Sequence, residues 1–490
     1  MTNLDSWLEH DLPGWSSGVT TGAVKVHCSG QSAFESLGAA LDRCDNDRAV
    51  IAISAWSFSN VPTTSFGFTF DLLKRAAAKG AHIRVMFAAE VLIRILTWTF
   101  ETGTSDNNEK HNTKFIDSLP GAASLNDKFV LFHPGVLGAI LPRRFQVGMH
   151  HMKAWTVYDG RVLTAWIGGM DINSNRTALQ DSNNYWHDVH AEVTGPLADS
   201  VYRILRERWN SHPKSPPGTA MPELERSKPV LGRQRGRIVT TFGNPRSWAG
   251  VGDPQSEAGY AFAPGGSSAY REAVRHCISQ ARRFIYIEDQ YMVHEDIARD
   301  LGRALEVIQA LIILIPVNEG RVINPPERHP DGLTIVSGVA GELKQAWERR
   351  KRFLSHLSQH REKVAIVTRD RYVHSKTWIF DDTIAITGSA NLNRRGYAHD
   401  TEGGIMFGDE SGSSEVTALR YRLWKMHLGP LAPAVTVPGE LALPIWQAAP
   451  AATKVRRYDP DAGRDTAISP VYIPFAKDWL WDNVIDPDCP

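Results

Sequence analysis

HSKTWIFDDTIAITGSANLN, residues 374–393, reads as two short strands joined by a tight turn and closed by a glycine. HMKAWTVYDGRVLTAWIGGMDIN, residues 151–173, reads the same way. Residues two apart on an extended chain share a side. His151 and Lys153 therefore stand side by side, and so do His374 and Lys376. Each pair leads to a glycine-rich turn, Gly168-Gly169 or Gly388-Ser389, where the backbone can approach a ligand closely. One such His-x-Lys pair carries little weight, being the pattern of any exposed polar strand. Two, at matching places before matching turns, carry much more.

The matching continues outward. SAFESLGAALDRCDNDRAVIAISAWS (residues 32–57) and SAYREAVRHCISQARRFIYIEDQY (residues 268–291) each read as an amphipathic helix followed by an apolar strand. A helix and a β-rich run follow each, ending in HIRVMFA and LIILIPV. Both halves close with a strand, DVHAEVTGP or EGGIMFGDE, and a helix. Alternation at this spacing predicts α/β units with a mostly parallel sheet and helices on both faces. The boundaries expected are an N-terminal extension at 1–30, a first half at 31–212, a Pro-rich linker at 213–235, a second half at 236–431, and a tail at 432–490 packed on the body.

Composition narrows the function. Hydrophobic residues make up 42% of the 490, which suits a packed protein and excludes a disordered chain. Lys and Arg number 54 and so do Asp and Glu, so the basic surplus of a nucleic-acid-coating protein is absent. The four cysteines, Cys28, Cys44, Cys277 and Cys489, are too scattered for a zinc site or a disulfide framework. No signal peptide and no run of ~20 apolar residues is read. The expectation is a soluble protein, cytoplasmic or exported by a route that needs no cleavable signal, with no metal and no cofactor. The 15 Trp and 12 Tyr suit a peripheral phospholipid surface as partner, and no nucleic acid.

Residues 374–393 resemble the HxKxxxxD…GSxN signature of the phospholipase D superfamily. The first copy resembles the N-terminal copy in the eukaryotic-type enzymes, as do FIYIEDQYM, WHDVHAEVTGP and LRYRLWKMHLG. The resemblance spans about residues 30–430. It implies two similar αβαβα sandwich halves, related by a pseudo-two-fold axis, with one active site where they meet. It also implies a phospholipase D that makes phosphatidic acid through a covalent phosphohistidine and transfers the phosphatidyl group to primary alcohols. In that scheme His151 is the nucleophile and His374 the general acid. The residues alone also allow the reverse. Lys153 and Lys376 would neutralise the phosphoryl oxygens.

Asp188 and Glu402, each opening the last strand of its half, are the candidate orienting partners of the imidazoles, with Asp400 as substitute for Glu402. Solvated strand-edge carboxylates are the bland alternative. Ser389, Asn391, Gly169 and Asp171 are candidates for phosphate binding or support, and Asp159 and Asp381 for support of the fold. His150 and His187 read as structural or headgroup-lining, and Trp56 and Gln290 as equivalent positions that either line the mouth or are buried in core or rim. The chain departs from the family pattern in its first copy. Tyr158 stands where Asp381 stands in the second, with Asp159 one residue later, and Asp171 replaces the Asn. From histidine to glycine the first copy is three residues longer. A bulge near Thr156–Tyr158 and a longer turn at Asp159–Arg161 are expected to absorb them. The competing functions are a cardiolipin-synthase-like phosphatidyltransferase, a nuclease of the same superfamily, and a non-catalytic binding scaffold.

Overall fold

A computed structural model describes residues 4–88, 93–95, 98–100, 111–127, 132–133, 145–146, 150–180, 185–212, 214–227, 234–243, 260–316, 349–369, 371–409 and 415–458. Its centre is one sheet of 15 strands. From the middle outward, the amino-terminal half runs Thr20–His27, His190–Thr194, Leu163–Gly168, Ala154–Tyr158, Val50–Ala55, His82–Ala88 and Ala122–Asp127. The carboxy-terminal half runs Gln234–Thr241, Glu402–Asp409, Ile384–Gly388, Thr377–Phe380, Phe284–Glu288, Ala310–Pro316 and Val364–Arg369, with Val455–Arg457 added at its edge. The order is the same in both. The halves join at an antiparallel seam pairing Thr20, Thr21 and Gly22 with Gly236, Arg235 and Gln234. The pseudo-two-fold α/β architecture is therefore present.

The sheet is mixed, not mostly parallel. Only Val50–Ala55, His82–Ala88 and Ala122–Asp127, and their counterparts Phe284–Glu288, Ala310–Pro316 and Val364–Arg369, pair in parallel. The strands next to the two His-x-Lys stretches are hairpins with turns too short for a crossover, so they must be antiparallel. The residues read as an extension hold the innermost strand of the first half. Its burial alternates, with Val24 and Val26 inside and Ala23 and Lys25 exposed, as a strand with one solvated face requires.

Side-chain alternation builds a core on each face. In the first half Ile51, Ile53, Val85, Trp155 and Trp166 pack under the helices Gly30–Asp42 and Thr69–Ala78. In the second, Ile285, Ile287, Ile313 and Trp378 pack under Ala269–Gln280 and Glu295–Ala304. The opposite face is one continuous core across both halves, covered by Pro196–Ser211 and Glu415–Leu428. Trp424 and Trp446 meet on that face with ring centroids 5.7 Å apart, which seats the described part of the tail. Of the apolar run 307–317, residues 310–316 form a strand buried between two parallel neighbours. Of the run 87–100, only residues 87–88, 93–95 and 98–100 are described.

The first hairpin absorbs its three extra residues without a bulge. Tyr158 pairs with Leu163 and Ala154 with Ile167 in unbroken register; the second copy pairs Phe380 with Ile384 and Thr377 with Thr387. The first hairpin is one rung longer, which uses two residues, and its turn takes the third. A bulge would have thrown Trp155 and Val157 off the core face, and a whole rung does not. Asp159 and Asp381 thus follow their strands equivalently but do different things. Asp159 caps its own turn, accepting from the amides of Arg161 (2.9 Å) and Val162 (2.8 Å), and meets Arg43 at 2.9 Å. Asp381 reaches the neighbouring strand, accepting from the amides of Arg282 (2.7 Å), Arg283 (2.9 Å) and Phe284 (2.8 Å).

Asp381→Asn turns one of its two acceptor oxygens into a donor facing a backbone amide, and should cost about 2 kcal/mol. Asp159→Asn mainly weakens a pair whose Arg43 is half exposed, and should cost under about 1 kcal/mol. Urea unfolding midpoints of the two variants check this, and equal shifts would refute the distinction.

Candidate active site

His151-Met152-Lys153 and His374-Ser375-Lys376 are extended segments leading directly into the hairpins. The ladders continue through them, with the Gly168 amide donating to the Lys153 carbonyl and the Gly388 amide to that of Lys376, both at 3.2 Å. Each segment is also held by the other half. The His151 amide donates to the Thr401 carbonyl (3.0 Å) and the His374 amide to the His187 carbonyl (2.8 Å). Parallel bridges pair His150 with Thr401 and His187 with Val373.

The side chains cross in the same way. His151 Nδ1 lies 2.8 Å from Glu402 Oε1, and His374 Nδ1 lies 2.7 Å from Asp188 Oδ2. Each imidazole is oriented by the carboxylate of the opposite half, which leaves its Nε2 for other work. Asp188 and Glu402 are essentially buried, so neither is a solvated strand-edge group. Asp400 pairs with Arg395 at 3.0 Å and lies beside the Glu402 site. Lys153 Nζ donates to the His151 carbonyl at 2.8 Å, and Lys376 Nζ donates to the His374 carbonyl and to Gln290 Oε1. Trp56 stands edge-on to His151 with ring centroids 5.5 Å apart, so both residues read as mouth positions are at the site.

The support around the two carboxylates differs. Ser389 Oγ donates to Glu402. Its counterpart is Gly169, where an added Cβ would sit 2.2 Å from Asp188 Oδ1. Arg176 takes over, with Nε 3.1 Å from Asp188 Oδ2, its guanidinium 4.4 Å from the Trp186 ring centroid, and Asp171 Oδ2 3.9 Å away. Sequence reasoning missed Arg176, since a lone arginine after a turn has no spacing that marks it. Asp171 does not stand in for a phosphate-facing amide. Its Oδ1 accepts from the amides of Trp56 (2.7 Å) and Ser57 (3.2 Å). Asn391 is nine-tenths buried at the equivalent turn, and its Oδ1 has no hydrogen-bond partner among the described residues.

His150 is structural, with Nε2 3.0 Å from Ser54 Oγ. His187 joins Glu288 and His427 in a buried cluster whose ligand-type atoms lie within 4.8 Å of one another, the one group so spaced among the described residues. There His187 Nε2 lies 2.7 Å and His427 Nε2 2.9 Å from the Glu288 oxygens, and the Tyr286 hydroxyl donates at 2.7 Å. The Arg369 guanidinium, 3.1 Å away, can only donate to His427 Nδ1. The His427 proton is therefore on Nε2, between the ring and the carboxylate, where a cation would have to sit. The cluster is a hydrogen-bonded clasp between the halves.

Burial dominates the electrostatics. It pushes both imidazoles well below their ordinary range, and Lys153 and Lys376 add to this. It lowers both ammonium groups, and it raises Asp188 and, to about 7, Glu402. Arg176 pulls Asp188 back down. A phosphodiester anion between the imidazoles would offset the lysines and favour protonation of one ring.

A family model described as "Cardiolipin synthase, PLD-like domain" matches residues 274–424. Phospholipase D A of Dictyostelium discoideum is 25% identical over 85% of this chain and 36% of its own. Cardiolipin synthase A of Pseudomonas putida (strain GB-1) is 22% identical over 80% and 66%, and phospholipase D alpha 1 of Nicotiana tabacum 25% over 50% and 40%. The matches span from about a third to two thirds of these relatives' lengths. Among solved structures, phosphatidylserine synthase of Haemophilus influenzae Rd KW20 superposes with a TM-score of 0.53 at 13% identity, covering 82% of this chain and 85% of that one. Among the described residues no helix is long and apolar enough to cross a membrane.

Glu402 retains a proton in the fold at pH values where it is ionised in the unfolded chain. Stability should therefore fall as pH rises from about 4.5 towards 7. Glu402→Gln keeps an acceptor for His151 but removes this penalty, which a shift of that size puts at about 3 kcal/mol. The unfolding free energy of the variant should exceed that of the wild type by more at pH 8 than at pH 5. A gap that shrinks with pH would refute the assignment.

Proposed function

We propose, from a chain that belongs to the phospholipase D superfamily, that it hydrolyses the distal phosphodiester of glycerophospholipids to phosphatidic acid and free headgroup. The observation that carries this is the pair of His–Lys dyads brought to one site, each imidazole held at Nδ1 by a carboxylate of the opposite half. His151, neutral and with Nδ1–H turned to Glu402, uses its Nε2 lone pair on phosphorus. As the N–P bond forms the P–O bond to the headgroup breaks, and His374 gives its Nε2 proton to the departing oxygen. Lys153 and Lys376 carry the charge of the non-bridging oxygens. His374, now neutral, takes a proton from water, which attacks phosphorus and frees His151. The deep burial of both imidazoles serves the nucleophile, which must be neutral. The acid gains its proton when the substrate anion arrives.

Phospholipase D relatives support the hydrolase reading. The cardiolipin synthase match within the second half supports a second one, in which a lipid hydroxyl replaces water at the same intermediate. Both readings need the chain to work at a phospholipid surface. Mass spectrometry of products from mixed phospholipid vesicles separates them. Phosphatidic acid with free headgroup marks the hydrolase, cardiolipin from phosphatidylglycerol marks the synthase, and neither would overturn the proposal.

His151→Ala and His374→Ala should each lose about 10²–10⁴-fold in turnover or more. Either variant retaining a tenth of wild-type activity would sink the two-histidine scheme. In vesicle assays with dilute ethanol, phosphatidylethanol should form at the expense of phosphatidic acid, because alcohol and water compete for one phosphohistidine. Unchanged products would argue for direct attack by water.

A further inference from the structure

Register makes the two halves comparable residue by residue. Ser54 pairs with Ala154, three residues after His151, and Glu288 pairs with Thr377, three after His374. Ala55 is therefore the counterpart of Asp289, and Trp56 of Gln290. Gly168 and Gly388 end equivalent strands, which makes Asp171 the counterpart of Asn391. Each half thus has one carboxylate at these two positions, and the choice is exchanged: Ala55 with Asp171 in the first, Asp289 with Asn391 in the second.

The two carboxylates make the same kind of connection. Asp171, on the glycine turn, accepts from Trp56 and Ser57 on the loop after the central strand, and its Oδ2 is 3.8 Å from Lys153 Nζ. Asp289, on that loop in the other half, accepts at Oδ1 from the amides of Tyr291 (2.7 Å) and Met292 (3.1 Å). Its Oδ2 accepts from the Leu392 amide on the glycine turn at 3.0 Å. Asp289 is fully buried and Asp171 nearly so. Gln290, next to Asp289, touches Lys376 directly. A loop-tying acceptor alone would be met by a neutral Asn or Ser. A buried anion at this place is explained by the buried cation it acts on: Lys153, 3.8 Å from Asp171, and Lys376, which Gln290 next to Asp289 contacts.

We propose that Asp289 is a positioning residue of the second dyad, the counterpart of Asp171 in the first, and that each keeps the lysine of its own half charged for the phosphoryl group. This rests on the phosphoryl-transfer reading above. Lys376 is opposed by its burial, Lys153 and Arg176, and supported by Asp188 and Asp289. Asp289 is held by three backbone amides, and Gln290 beside it in the chain reaches Lys376; its charge acts on Lys376 and on the buried hydroxyls of Tyr270, Tyr372 and Tyr397. Removing its charge makes Lys376 lose its proton at lower pH.

The test compares wild type, Asp289→Ala and the double variant Asp289→Ala/Asn391→Asp, which gives the second half the arrangement of the first. Two pH profiles are read: turnover on phosphatidylcholine vesicles, and affinity for inorganic phosphate by calorimetry. In Asp289→Ala the alkaline limb of both should move down by about one pH unit, tenfold in either quantity at a fixed pH on that limb. The double variant should bring it back. A limb that stays put in the single variant, or one that the second substitution does not restore in a folded protein, overturns the proposal. If Asp289→Ala does not fold, Asp289→Asn, which keeps an acceptor and loses the charge, must show the same shift. Phosphate binding without lipid turnover in the wild type would strike the lipase reading and leave the role of Asp289 to the phosphate profile. Neither binding nor turnover overturns both.

Discussion

The hydrogen bond from each imidazole Nδ1 to a carboxylate of the other half constrains everything else at the site. It fixes which ring nitrogen faces the cleft, and it can form only when the halves are in register across the seam. The backbone enforces this. The His151 and His374 amides each donate to a carbonyl of the partner half, so ring and main chain are held by the same neighbour. A duplicated fold whose halves met elsewhere would leave both dyads without partners.

That closure also sets the charge problem. Four carboxylates, two lysines and an arginine share a nearly dry space: Asp171, Asp188, Asp289, Glu402, Lys153, Lys376 and Arg176. Burial alone would neutralise most of them, by raising the acids and lowering the bases. The arrangement resists this through pairing: Arg176 on Asp188, Ser389 on Glu402 and Asp171 against Lys153. The site is thus strained towards neutrality, which suits a surface that must welcome one negative charge and pass one proton.

Much of this was legible in the chain, and the reasons for the rest are physical. The two His-x-Lys stretches, the glycine turns and the duplication follow from local pattern, because strands and turns record themselves at periods of two and at glycines. The sheet reads as parallel from sequence because helix–strand alternation dominates the pattern, although the strands that carry the chemistry are hairpins. The innermost strands, Thr20–His27 and Gln234–Thr241, are weakly apolar in sequence although the second is buried from Gly236 on, so one reads as an extension and the other falls at a linker boundary. The bulge expected near Thr156 assumed that a hairpin grows by single residues; it grew by a rung, which keeps Trp155 and Val157 on the core face. Asp188 and Glu402 were found from their place in the repeat. Arg176 and Asp289 were not, because their meaning lies in contacts far along the chain.

The differences between the halves are informative because the backbone equivalence is so close. Where one half has Ser389 beside Glu402, the other has Gly169 beside Asp188 and adds Arg176. Burial raises both carboxyl groups; the Ser389 hydroxyl works against it at Glu402 and the Arg176 guanidinium at Asp188. An imidazole facing a fixed anion is better placed to hold a proton, and one facing a carboxyl that itself titrates is better placed to stay neutral. Arg176 also repels a protonated His374, so the asymmetry acts chiefly by securing the carboxylate. Two copies of one motif have thus diverged in the residues behind the imidazoles while the His–Lys pairs themselves stayed alike.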